Sequence, residues 1–149
     1  MNNLETLFVV LYGSFSFSGF LLGLKNCVKK KNPYGLTKPY NLIGSFVWAD
    51  AIVFGLFWTM VSIASILLSN WLLFLLTQSI FWLIRSIGET IYWFNEQFAV
   101  KNRNPVHTLW HSKIFPGSSS YIASQIFWQC IAVITSITSL FLIKVWFKI

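Results

Sequence analysis

The sequence predicts an all-α, polytopic integral membrane protein with four transmembrane helices and a tight hairpin between the second and third. Three observations predict it. Hydrophobic residues make up 56% of the 149 residues and charged residues only 10%, against about 25% charged in a soluble domain. Aromatic residues reach 19%, too much apolar surface for a fold in water, where exposed apolar patches stay within a few hundred Å². The apolar residues also gather in four runs, each near the ~20 residues that cross ~30 Å of hydrocarbon. The length suits a single four-helix membrane domain over residues 1–149.

The spans are expected at about 4–24, 46–68, 71–94 and 121–143. The first opens on Glu5 and is followed, not preceded, by lysines, unlike a secretory signal. Spans two and three form nearly one continuous run. As a single helix they would reach ~70 Å, far beyond a bilayer. The chain must therefore reverse at Ser69-Asn70, the adjacent polar pair between them. Span four follows Pro116-Gly117, a stop, and Ser118-Ser119-Ser120, which offers an N-cap.

Two long loops remain, 25–45 and 95–120. The first holds Lys25, Lys29, Lys30, Lys31 and Lys38, and the second Lys101, Arg103 and Lys113. These eight basic residues face only Lys144 and Lys148 on the other side. The positive-inside rule then sets both loops in the cytoplasm and both termini outside it. Within the first loop, Asn32-Pro33-Tyr34-Gly35 reads as a turn and the following aromatic residues as an interfacial lead-in. Within the second, Val106 to Phe115 reads as a short interfacial helix. The net charge of +7 belongs to these loops, so nucleic acid is not an expected partner.

Faces follow from spacing. Ser16, Gly19 and Gly23 share one face of span one, with Gly55 among the small residues of span two. Small residues at this spacing let helix backbones approach closely, within the chain or across a homodimer seam. Span four carries Gln125, Gln129, Ala132, Ser136 and Ser139 at intervals of 4, 3, 4 and 3. All five fall on one face, and amides in lipid need partners, so this face is expected to point inward or into a second subunit. Span three carries Gln78, Arg85, Glu89, Tyr92 and Glu96 on one face, with Trp82 beside them.

Arg85 and Glu89 mark the candidate site. An arginine at the centre of a membrane helix costs roughly 2.5–3.5 kcal/mol on an insertion scale, so intramembrane charges point to function. Asp50 lies 20 residues before Asn70 and Glu89 19 after it. At 1.5 Å per residue both stand roughly 30 Å from the turn. The expected ligand- or ion-binding cluster is Asp50, Arg85, Glu89, Gln125 and Gln129, walled by Trp48, Trp82, Tyr92 and Trp128. Because the base precedes the acid, the less favourable order for an i, i+4 pair, Asp50 is the preferred partner for Arg85. Two acids around one arginine leave an excess negative charge for a proton or cation. The alternative reading is a network that only locks the helices in register.

Other chemistries find little support. His107 and His111 stand at i, i+4 with Trp110 between them, but these two histidines do not supply a di-iron or buried-haem ligand set, so no metal site is assigned and no cofactor is identified. Cys27 and Cys130 lack metal-ligand spacing. No GxSxG, Walker A or dinucleotide motif occurs, which weighs against an enzyme. The leading reading is a binding or accessory subunit of a membrane complex, in contact with lipids and a homo- or hetero-oligomeric protein partner. The alternatives are a small oligomeric transporter or channel for a proton, ion or polar solute, and a lipid-modifying or lipid-binding protein.

Overall fold

A computed structural model describes residues 1–100, 102–109 and 111–148. It is all-helical, with four helices long and apolar enough to cross a membrane: α1 (Asn3–Leu24), α2 (Trp48–Leu67), α3 (Trp71–Phe98) and α4 (Ser119–Phe147). A π-helical turn, Lys25–Lys29, extends α1, and 3-10 turns cover Lys38–Ile43 and Val106–Thr108. The chain divides into two compact units, Met1–Thr77 and Gln78–Ile149, with the boundary inside α3.

The boundaries differ from the apolar runs in an instructive way. Span two was expected from residue 46, but Val47 is extended (φ −130°, ψ 163°) and bridges Leu36, so α2 begins at Trp48. α3 and α4 continue past their apolar runs, to Phe98 and Phe147. An apolar window stops at Asn95-Glu96-Gln97, whereas the backbone bonds do not. The expected interfacial helix from Val106 to Phe115 shrinks to the 3-10 turn Val106–Thr108 followed by a bonded turn from His111. Lys101 and Trp110 lie outside the described residues.

In the first unit, α1 starts at a capping box: Asn2 Oδ1 accepts the Glu5 N–H at 2.8 Å, and Glu5 Oε2 accepts the Asn2 N–H at 2.7 Å. Two orphan amides are thereby satisfied. The helix buries Val9, Gly13, Ser16, Gly19 and Gly23; α2 buries Ala51, Gly55, Trp58, Ser62 and Ser65. These rows repeat every three or four residues, one face each. Their contact is close. A Cβ on Gly55 would stand 2.6 Å from Phe20 N and 2.7 Å from Ser16 O. One on Gly23 would meet Ile52 Cγ1 at 2.9 Å and Trp48 O at 3.0 Å. Backbone meets backbone here, so the loss of a side chain is what brings the helices together.

The loop after α1 is folded back onto this pair. Tyr40 is buried, stacks on Phe15 at 4.9 Å and approaches Ser18 Oγ at 3.1 Å. A Cβ on Gly19 would lie 2.9 Å from its ring, so Gly19 makes room for the loop rather than for α2. Buried Thr37 donates to Ser45 O at 2.9 Å, and Trp48 N–H to Gly35 O at 3.1 Å. At the far end, Ser69 adopts a left-handed φ of 47° and Asn70 Oδ1 accepts the Leu73 N–H at 3.0 Å. The chain turns at the predicted pair. Phe74 then packs on Phe8, Tyr12 and Trp58, and Trp71 stacks on Phe74.

In the second unit, α3 and α4 meet through hydrogen-bonding and aromatic side chains. Ser79 Oγ lies 2.8 Å from Ser139 Oγ and donates to Thr135 O at 3.1 Å. Trp82 stacks on Trp128 (centroids 6.5 Å apart, planes at 13°) and Trp93 on Tyr121 (6.2 Å, 25°). Gln97 donates its amide to Gln125 Oε1 at 2.5 Å. The facing row on α4 is thus Tyr121, Gln125, Trp128, Thr135 and Ser139, at helical intervals.

Candidate functional site

Arg85 and Glu89 pair with each other. Arg85 Nη2 lies 3.0 Å from Glu89 Oε1, one turn along α3, with side-chain exposures of 22% and 14%. The unfavourable order of the two charges does not prevent the bond. That preference is worth a few tenths of a kcal/mol in water. Away from water, an uncompensated charge costs far more, so the pair forms despite its order.

Asp50 belongs to the first unit and sits in the first turn of α2. Its carboxylate accepts the Phe46 N–H at 3.3 Å. A negative charge is favourable at this end of a helix, so Asp50 has a local role that the hairpin ruler did not foresee. Trp48, expected in the wall of the cluster, is in the same first turn of α2. Its indole tilts against Tyr40 at 6.3 Å, and Gly35 leaves room for it: a Cβ there would lie 3.0 Å from Trp48 Cδ1.

The remaining candidates all lie in the second unit. Trp82 and Trp128 face each other, as already described. Gln125 turns inward to Gln97. Tyr92 turns to the loop, where its hydroxyl accepts from Asn104 Nδ2 at 2.7 Å. Gln129 goes the other way: it is exposed on α4, as is Cys130. Of the two directions expected for this face, inward or into a second subunit, Gln125 takes the first, and Gln129 is exposed. A spacing of 4 and a spacing of 3 straddle the same line on a helix, at about +40° and −60° from Gln125. Trp128 takes the inward place by stacking on Trp82, and Gln129 is left outside. The helix-packing candidates Ser16, Gly19, Gly23 and Gly55 are all buried in the first unit, between α1, α2 and the Tyr40 loop.

Two residues gain roles that spacing did not suggest. Glu96 is buried, and its carboxylate accepts the N–H groups of Arg103 and Asn104 at 3.3 and 3.2 Å. Its own carbonyl accepts from Asn102 Nδ2 at 2.6 Å, and Tyr121 closes the turn by donating to Asn104 O at 3.0 Å. An acid at the end of α3 thus holds the loop that follows. His111 is also buried, with Nε2 2.9 Å from Ser120 O and 3.0 Å from Ser124 Oγ. His107 is exposed, so the two histidines do not converge. Among the described residues no three metal-ligating side chains cluster.

Chemically, the second unit offers an ion pair on α3, a clamped loop and a lone amide displayed on α4. The only clue that spacing gave to Gln129 was its polarity; its direction required Trp128. Comparison with known protein families, with curated proteins and with solved structures found no match to this chain.

Proposed function

We propose that the chain is a subunit of a membrane protein complex, and that α4 displays its contact surface. The observation that carries this reading is Gln129. Within the expected span 121–143 it lies 8 residues from one edge and 14 from the other, roughly 12 and 21 Å along the axis. A Gln side chain does not reach water across such a distance. It is exposed, and among the described residues its amide has no hydrogen-bond partner. Exposed apolar neighbours, Ile126, Val133 and Leu140, continue the same flank at intervals of seven. In hydrocarbon an unsatisfied amide is costly, and a second membrane helix with a donor or acceptor at that depth satisfies it.

The Arg85–Glu89 pair fits the same reading as an internal fixture of α3. The loop charges support a cytoplasmic placement of the two long loops, with both termini on the other side.

The test is native mass spectrometry of the chain extracted in mild detergent. The proposal predicts a defined oligomer or hetero-complex. Gln129→Leu should weaken it about threefold to twentyfold, the range that single interhelical hydrogen bonds contribute in membranes. A monomer for both the wild type and Gln129→Leu refutes it.

A further inference from the structure

We infer that the junction of α1 with its following loop is a binding surface for anionic lipid headgroups, formed by Lys25, Lys29, Lys30 and Lys31 with Tyr34 and Leu36. The backbone arranges these lysines. Lys30 N–H bonds to Lys25 O at 3.3 Å, closing the π-helical turn Lys25–Lys29. In an α-helix, residues five apart point ~140° away from each other; the wider turn brings Lys30 back under Lys25, with Lys29 beside it. Lys31 then takes a left-handed φ of 50°, uncommon for a residue with a side chain. It turns the chain so that Asn32 N–H reaches Asn26 O at 3.1 Å.

All four lysines are exposed, and among the described residues none of their side chains has an ion pair or hydrogen bond. The acids of the first unit are engaged elsewhere: Glu5 in the capping box at the opposite end of α1, Asp50 with the Phe46 amide. The charge is therefore concentrated and uncompensated.

The loop adds apolar anchors. Tyr34 is 82% exposed and Leu36 69%. Neither belongs to a slack segment, because Ala49 N–H bonds to Pro33 O at 3.0 Å and Thr37 N–H to Phe46 O at 3.2 Å on either side of them. A hydrogen-bonded loop that displays Tyr and Leu beside four lysines suits the boundary between headgroups and acyl chains. The topology rule asks only for the number of lysines in a loop; it requires neither the π turn nor the left-handed lysine. Clustered juxtamembrane lysines complement phosphate-bearing lipids.

The chain in neutral detergent, given micelles of equal parts phosphatidylcholine and phosphatidylglycerol, provides the test, with native mass spectrometry counting the lipids retained. The expected result is retention of phosphatidylglycerol over phosphatidylcholine, falling about fivefold for each Lys→Gln change. The preference should vanish in K25Q/K29Q/K30Q/K31Q, persist when the same four become Arg, and weaken with added salt. K144Q/K148Q, at the end of α4, should leave it unchanged. The inference is overturned if the wild type shows no preference, if the four-Gln variant keeps it, or if K144Q/K148Q loses as much. Should the four-Gln variant not fold, a wild-type preference unaffected by salt overturns it equally. No outcome depends on whether α4 has a protein partner.

Discussion

The two units build a helix pair from opposite materials. In the first, α1 and α2 touch through Gly23, Gly55 and Ser16; a Cβ on Gly55 would meet only main-chain atoms, and one on Gly23 would meet Ile52 Cγ1 and then main-chain atoms. In the second, α3 and α4 touch through Trp82 on Trp128, Trp93 on Tyr121, Gln97 on Gln125 and Ser79 on Ser139. The first seam is steric, built from van der Waals contact, and tolerates no added atom. The second is made of stacked rings and hydrogen bonds, each replaceable at modest cost. A steric seam uses up its small residues and leaves little over. The polar seam leaves polar residues outside it: Gln129 is exposed on α4, and Arg85 and Glu89 hold each other within α3.

Substitutions should expose this contrast. The largest effect is expected for Gly55→Leu. Its side chain would enter the space of Phe20 N and Ser16 O, which cannot rotate away. Overpacking typically costs about 1–3 kcal/mol, and a backbone obstacle puts this site at the upper end or beyond, as a lowered unfolding midpoint in detergent titration. Next comes Glu96→Ala, which strands the Arg103 and Asn104 amides. Both bonds are part-buried, so the loss should lie near the lower end of the roughly 1–3 kcal/mol that an unsatisfied buried donor costs. Hydrogen exchange should quicken at those two amides and leave the capping box of α1 unchanged. The smallest effect is expected for Gly88→Ala on α3. A Cβ there meets nothing within 4 Å, so stability should change by no more than about 1 kcal/mol, the difference in helix propensity, and in the stabilising direction. Equal losses at Gly55 and Gly88 would contradict the steric account of the first seam.

Much of this was legible in the residues. Four apolar runs gave four helices, and the Ser69-Asn70 pair marked the turn because two helices end to end outrun a bilayer. The Gly19–Gly23 and Gly55 faces were visible because small residues carry their own spacing. Two kinds of feature were not. Spacing cannot choose between neighbouring faces of a helix, so it groups Gln129 with Gln125; the direction of each is set by Trp128 and its partner 46 residues earlier, Trp82. Backbone acceptors and donors leave no mark on composition either. The Glu96 clamp, the His111 contact with Ser120 and the Asp50 bond to Phe46 all use main-chain groups, which every residue has.

The claim that α4 faces another protein rests on the direction of Gln129, and the adjacent exposed Cys130 offers a handle on it. In a Cys27→Ser chain, a benzophenone maleimide placed on Cys130 in intact membranes and then illuminated reports what lies against that face. The proposed complex predicts a discrete protein adduct at Cys130, reduced by Gln129→Leu. Adducts to lipid alone would contradict it.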